Sequence, residues 1–476
     1  MSTPTVHVIG AGLAGCEATY QITRQGVPVV LHEMKPQKKT PAHHTDLFAE
    51  LCCSNSLRSE MPENAIGLLK AEMSVLGSLT MEAALASRVP AGSALAVDRA
   101  KFSTYITEKI RNNPLVTVVE GECPAPIEGE WNLVSTGPLT SPSMAEFLRE
   151  FAGEEQLHFF DAAAPIVDAS SIDTEKAFFA SRYGKGEASY LNCPMTKEEY
   201  DTFYEALVSA ETAVLKDFDR DSQKELTVFE GCMPVEVMAK RGYETLLFGP
   251  LKPVGLPLPS TGKEAYAVLQ LRQENNEKTM YNLVGFQTHL TFPDQRRVFR
   301  LIPGLEKAEF LRYGVMHRNT FLNSPKLLTP TYRARNDEKL YFAGQMTGVE
   351  GYIESAGSGL VAGINIARKA SGKEELVFSP VCELGAMARY VAFGALGDFQ
   401  PMNANFGIIE PLEKKVKGGK QARNWEYARR SLAYIESLKE QKLFCPFPLR
   451  AFATLSDWRA PLEKALNFSA SPIGRL

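Results

Sequence analysis

The sequence predicts an α/β fold, a Rossmann-like domain interrupted by an inserted α+β domain. Three observations carry this. The chain opens with a strand, a glycine-rich turn, a helix and a second strand, VHVIGAGLAGCEATYQITRQGVPVVLHEM from Val6 to Met34. A second strand–glycine–helix unit returns late, as KLYFAGQMTGVEGYIESAGSGLVAG at 339–363. Between them, residues 160 to about 325 read as strand-like segments, one amphipathic helix and many loops. A chain of 476 residues also exceeds what one core ordinarily fills.

In the opening unit, Val6 to Ile9 reads as a buried strand and Gly10-Ala11-Gly12-Leu13-Ala14-Gly15 as a GxGxxG turn. A helix is expected from about Leu13 to Gln25, stopped by Gly26. A strand from Val27 to Leu31 follows, ending near Glu33. The spacing has a physical reason. Gly10 makes the tight turn, Gly12 lets the backbone approach a pyrophosphate, and Gly15 lets helix and strand pack closely. The helix N-terminus offers unpaired N–H groups and the positive end of its dipole to phosphates. Glu33 stands where an acid accepts hydrogen bonds from an adenosine ribose. A lone GxGxxG is a weak signal; strand, glycines, helix, strand and acid in series are a strong one.

The late unit favours FAD over NAD as the tightly bound cofactor. Leu340 to Ala343 reads as a strand and Ile353 to Ala367 as a small-residue helix able to lie against a cofactor. Gly344, Gln345 and the run Gly348 to Gly351 connect them, with Tyr352 at the helix start. WNLVSTGPLT at 131–140 supplies a strand ending in a Thr-Gly turn. Together these pieces fit an FAD-binding Rossmann-like domain of the two-dinucleotide-fold flavoproteins. The expected division is 1–159 for its first part, 160–325 for the insertion and 326–437 for its second part. Residues 438–476 form a tail of unknown role. Helices are expected at Asp98–Ile110, Met144–Phe151, Lys197–Ser209 and after Gly419. Further strands are expected at Leu115–Glu120, Ala265–Arg272 and Thr279–Phe286.

Composition narrows the function. With 44% hydrophobic and 23% charged residues, the chain is of ordinary globular type. A formal charge of -4 means that any nucleic-acid contact must use a local basic patch. The eight cysteines are scattered and form no CxxC pair, so neither a disulfide scaffold nor a zinc site is expected, and no metal is assigned. MSTPTVHVIGAG reads as the start of a strand rather than a signal peptide, and no apolar run is long enough to span a membrane. A cytoplasmic location with reduced thiols is the simplest reading.

Four motifs remain: HVIGAGLAG near the start, ELCCSNSLRS at 50–59, FEGCMPVEVMAKRG at 229–242 and FAGQMTGVEGYIESAGSGL at 342–360. Together they closely resemble the folate- and FAD-dependent tRNA (uracil-5-)-methyltransferases, from about residue 5 to about residue 437. The resemblance implies that NAD(P)H reduces FAD and that 5,10-methylenetetrahydrofolate supplies a carbon. That carbon ends as the methyl of 5-methyluridine in the tRNA T-loop. It implies that Cys232, in the G-C-M-P motif, adds to uracil C6, which turns C5 into a nucleophile. Lys240 or Arg241 would lower its pKa. It implies that Cys53, in C-S-N-S, lies near the flavin and takes the C5 proton; nothing is carried onto Cys52. Tyr352 could stack on a pterin, and plain packing is the alternative. The alternative for Cys232 is a buried inert thiol, and for Cys53 packing against the isoalloxazine.

Phosphate contacts are sought in four clusters: Arg296, Arg297 and Arg300; Arg312, His317 and Arg318; Arg333 and Arg335; and Lys414, Lys415, Lys417, Lys420 and Arg423. No obligate protein partner is expected. The alternatives are the same chemistry on ribosomal RNA, a small-molecule flavin oxidoreductase, and a non-catalytic FAD-dependent scaffold.

Overall fold

The computed structural model describes residues 4–40, 42–153, 156–162, 164–213, 233–275, 278–314, 316–394 and 399–440; for 156–162, 316–320 and 439–440 this is backbone only. The opening strand Val6–Ile9 sits at the centre of a five-stranded parallel sheet. The order across the sheet is Leu340–Phe342, Trp131–Val134, Val6–Ile9, Val29–Glu33, Val116–Glu120. Val6, Val8, Leu31 and Leu133 are fully buried, as expected of parallel strands covered on both faces. The second strand begins at Val29 rather than Val27. Pro28 has no N–H to give the ladder, and only its carbonyl takes part, accepting from Val6 N–H at 3.0 Å. The first helix runs Leu13–Thr23, short of Gln25. The N–H groups of Gln25 and Gly26 turn back onto Ile22 and Thr23 as Gly26 adopts φ +78°.

The late helix, Tyr352–Ala370, packs along Leu13–Thr23, and its glycines set the distance. A Cβ on Gly359 would lie 2.2 Å from the Ala14 carbonyl oxygen, and one on Gly363 2.7 Å from Ala18 Cα. This close approach also brings Gly344 against Ala14, so the two glycine-rich turns share one wall.

A second, six-stranded antiparallel sheet has the order Phe178–Ala180, Tyr190–Met195, Ala267–Gln273, Met280–Leu283, Ile166–Asp168, Phe310–Arg312. It has its own core, with Tyr200, Phe203, Leu269, Phe286 and Phe299 buried together. Helix Lys197–Val208 packs there, started by a capping box between Thr196 and Glu199. The backbone ladder Gln156–Ala162 with Met316–Leu322 lies between the two units along the chain. Helices Ala65–Val75, Leu79–Ala86 and Glu383–Phe393 were not anticipated from the sequence. Nor was the small antiparallel sheet of Ser56–Ser59, Ala94–Val97 and Arg88–Val89. The helix after Gly419 runs Gly419–Glu440.

Candidate active site

A cleft lies where the parallel strands end. Its walls are the turns that follow the five strands, the usual ligand position in an open α/β sheet. Gly10, Ala11, Gly12, Leu13 and Ala14 line it, together with Glu33, Gly344, Gln345, Cys53 and Tyr352. Gly15 lies behind them in the first helix.

The three glycines divide the work. Gly10 has φ +100°, and a Cβ there would meet the Ser135 carbonyl oxygen at 2.7 Å. A Cβ on Gly15 would lie 1.8 Å from the Gly10 carbonyl oxygen. The protein itself requires both. At Gly12 a Cβ would meet nothing within 4 Å, so its missing side chain leaves open space on the cleft side. That is the vacancy a pyrophosphate needs, and the helix N-terminus faces it. Glu33 is buried; its carboxylate accepts from Ala11 N–H at 2.8 Å and Lys35 N–H at 3.0 Å. It thereby ties the glycine turn to the second strand. These donors and acceptors fit a dinucleotide.

The segment Leu51–Asn55 is clamped from several sides. Cys53 N–H donates to the Tyr352 hydroxyl at 2.6 Å and Ser54 N–H donates to it at 3.1 Å. Arg99 donates to the carbonyls of Leu51 and Cys53 while its Nε pairs with buried Glu274 at 2.5 Å. Arg272 donates to Asn55 Oδ1 at 2.9 Å and Ser54 Oγ at 2.7 Å. Asn55 Nδ2 in turn donates to the carbonyls of Val97 and Gln273, both at 3.0 Å. Arg272, Gln273 and Glu274 come from or directly follow a central strand of the antiparallel sheet, so that sheet forms the backing of the Cys53 segment.

Tyr352 therefore does something its sequence position did not reveal: its hydroxyl anchors Cys53. Burial, then the neighbouring Cys53, hold that hydroxyl well above its usual pKa, so it stays protonated. Burial, then the Glu50 carboxylate, push the Cys52 thiol up to about 11, and Cys52 is a neutral thiol at neutral pH. Gln345 donates to Glu350 at 2.6 Å beside the cleft. Cys232 lies outside the described residues. Lys240 and Arg241 are exposed at the far end of helix Val235–Lys240.

The basic clusters separate. Arg297 pairs with Asp294, Arg300 donates to Ala308 O, and Arg296 donates to the Tyr313 hydroxyl. Arg333 pairs with Glu375, and Arg335 donates to Ala392 O while lying over Phe393. The side chains of His317 and Arg318 lie outside the description. Arg312 Nη2 is buried without a hydrogen-bond partner. Lys414, Lys415, Lys417, Lys420 and Arg423 are all exposed, and no ion pair among the described residues involves them. Next to them, Gln421 and Asn424 bind Glu63, a few residues beyond the ELCCSNSLRS motif.

Comparisons with known proteins show the family of the chain. The family model described as glucose inhibited division protein A matches residues 5–374. A protein of Listeria innocua named methylenetetrahydrofolate--tRNA-(uracil-5-)-methyltransferase TrmFO is 57% identical over 437 residues, 92% of this chain and 99% of that one. One of the same name from Acetivibrio thermocellus is 59% identical over 432 residues, 90% of this chain and 98% of that one.

The chain belongs to the TrmFO family.

Among solved structures, Aquifex aeolicus GidA is similar with a TM-score of 0.68 at 17% identity, covering 98% of this chain and 77% of that one, and so shares the fold. Within this TrmFO-family chain, Arg99, Arg272 and Glu274 were missed from sequence. Asn55 stood inside a quoted motif, but nothing local marks the others. Among the described residues, no cluster of His, Cys, Asp and Glu suits a metal, and no helix is long and apolar enough to cross a membrane.

Proposed function

We propose that this chain uses FAD and 5,10-methylenetetrahydrofolate to methylate C5 of a T-loop uridine in tRNA, with NAD(P)H as reductant. The observation that carries the reading is a shared cleft. Cys53 and Tyr352 line the same space as Gly10–Ala14 and Glu33, in a family named for folate-dependent tRNA uracil methylation. FAD, when bound, supplies the redox chemistry and the path by which the folate carbon reaches the base.

The chain's residues supply the rest. The Cys232 thiolate adds to uracil C6, and the electron pair of the C5–C6 bond becomes available at C5. Once the new C5–carbon bond exists, Cys53 takes the C5 proton, the double bond reforms, and the Cys232 thiolate leaves. The clamp on Leu51–Asn55 supports this role for Cys53, because a base must be held within hydrogen-bond reach of its proton. Extruding the uridine costs roughly a few kcal/mol, and phosphate contacts offset that. The unpaired lysines at 414–420 are the cluster that best fits those contacts.

The test incubates the protein with methylenetetrahydrofolate, NADPH and an unmodified tRNA transcript, then digests the RNA and seeks 5-methyluridine by mass spectrometry. Product from the wild type and none from Cys232→Ala is expected. A yellow, folded protein that makes no product on tRNA, but makes it on ribosomal RNA, would move the substrate assignment. Turnover of small molecules without any RNA product would defeat the reading.

A further inference from the structure

Phe248 leaves 80% of its surface in solvent, more than any other large apolar side chain among the described residues. The backbone beneath it is firmly held. Leu251 N–H returns to the Leu246 carbonyl at 2.9 Å, and both leucines are fully buried. Pro250 is seated on Gly285, where a Cβ would lie 2.7 Å from Pro250 Cβ. The turn is thus anchored on both sides of a ring that the protein leaves in water.

A single exposed apolar residue needs no explanation, but a second ring lies on the same structure. Arg182 donates to the carbonyls of Lys252 and Val254, and Tyr183 N–H donates to the Gly255 carbonyl at 2.8 Å. Tyr183 is 57% exposed and lies over Gly255, where a Cβ would be 2.6 Å from the ring. It is held at φ +59°, a conformation uncommon for a bulky residue. Within 181–187 and 240–264 the sequence holds Arg182, Lys185, Lys240, Arg241, Lys252 and Lys263 against Glu187, Glu244 and Glu264, on a chain of net charge -4, and Asp201 bonds the Tyr243 hydroxyl of the same segment.

This surface adjoins the turn between Arg88–Val89 and Ala94–Val97 of the small antiparallel sheet. Gly186 packs on Gly92, and the Tyr190 hydroxyl donates to the Ala91 carbonyl at 3.3 Å. On its other side, Val235 N–H donates to the Gln287 carbonyl at 2.8 Å, close to Gly285 and Pro250.

We propose that Phe248 and Tyr183, flanked by Lys252 and Lys185, form a stacking platform for unpaired bases of the RNA substrate. The proposal rests on the RNA-methylating reading above. Aromatic rings accept the faces of any base, and lysines hold the adjoining phosphates. Extrusion of one uridine leaves neighbouring bases short of a stacking partner, which an exposed ring replaces.

The test measures equilibrium binding of an unmodified tRNA transcript to the FAD-loaded protein by fluorescence anisotropy over a range of salt concentrations. Phe248→Ala is expected to weaken binding about tenfold, the scale of one lost base stack, with the slope of log K against log[salt] unchanged. Phe248→Trp should bind as the wild type does. Lys252→Glu should lower affinity and flatten that slope by about one unit. Melting temperature and flavin absorbance should match the wild type throughout. Wild-type affinity in Phe248→Ala overturns the platform. So does a fall in melting temperature with unchanged affinity, which makes Phe248 a packing residue, or a change in oligomeric state on ultracentrifugation, which makes it a contact between copies. A wild-type protein that binds no tRNA defeats the RNA reading itself.

Discussion

Replacing Tyr352 by Phe removes one hydroxyl and keeps the ring, which separates anchoring from any stacking role. The hydroxyl accepts from Cys53 N–H at 2.6 Å and Ser54 N–H at 3.1 Å. A buried donor left without its acceptor costs about 1–3 kcal/mol. Both residues are half-buried, so water recovers part of this, and about 2–4 kcal/mol is expected against the present conformation of the segment. Arg99 still holds the carbonyls of Leu51 and Cys53 and Arg272 still holds Ser54, so the chain should stay folded and yellow while the Cys53 N–H loses its acceptor and the thiol its fixed position. With about 1.4 kcal/mol per tenfold in rate, single-turnover formation of 5-methyluridine should fall about 30- to 700-fold. Melting temperature should drop by only a few degrees. The assay compares Tyr352→Phe with Tyr352→Ala under saturating tRNA and folate. Full activity in the Phe variant, beside an inactive Ala variant, would refute the argument by showing that only the ring matters.

Other perturbations follow from the same geometry. Gly12→Ala should fold normally but lose FAD affinity by tenfold or more, because its Cβ meets no protein atom and occupies the cleft side; Gly15→Ala, with a Cβ 1.8 Å from Gly10 O, should fail to give soluble protein. Absorbance at the flavin band and circular dichroism distinguish the two. Reversing Lys414, Lys415 and Lys417 to Glu should flatten the salt dependence of tRNA binding by about one unit per contact, while Arg297→Glu, whose partner is Asp294, should leave the slope unaltered. Burial, then the nearby Arg58 charge, lower the fully buried Lys70 to about 7. Between the unfolded value near 10.5 and about 7, falling pH therefore protonates the unfolded chain first and removes stability. The stability gained by Lys70→Met, followed by urea unfolding, should grow as pH falls from 10 to 7 and level off below; a gain that does not vary with pH would contradict this.

The parallel sheet and its glycine turn were legible because their requirements are local. Gly10, Gly12 and Gly15 act within one turn, and Glu33 closes it from the adjacent strand. Strand Val29–Glu33 starts two residues after the expected Val27 because Pro28 has no N–H with which to extend the ladder. The helices Leu79–Ala86 and Glu383–Phe393 were missed for a different reason. Remote carboxylates serve their first turns: Glu17 accepts from Thr80 N–H at 2.9 Å, and Glu72 accepts from Glu383 N–H at 2.7 Å. Ser78 caps the first of these helices by accepting from Met81 N–H, but no capping box in the neighbouring sequence announces the remote carboxylates. The same holds at the site. Cys53 stood out in its motif, but its supports come from distant elements, Arg99 from the start of a helix and Arg272 and Glu274 from the end of a strand, and only the fold brings them together. The basic clusters read alike in sequence, and carboxylates such as Asp294 and Glu375 divided them.

The sheet order has a consequence for synthesis. Four of its parallel strands leave the ribosome within the first 134 residues, but the fifth, Leu340–Phe342, arrives only after the whole antiparallel unit has been made. Until then Trp131–Val134 is an open edge, and the wall formed by Gly344 and helix Tyr352–Ala370 does not exist. Domains generally fold as units during translation, and long-range parallel pairing is slow. The interrupting unit, contiguous in the chain, can therefore mature first. The cofactor cradle then closes last, around a nascent protein with an unprotected strand edge. A message cut short before codon 340 would yield a partner-seeking sheet rather than a smaller enzyme.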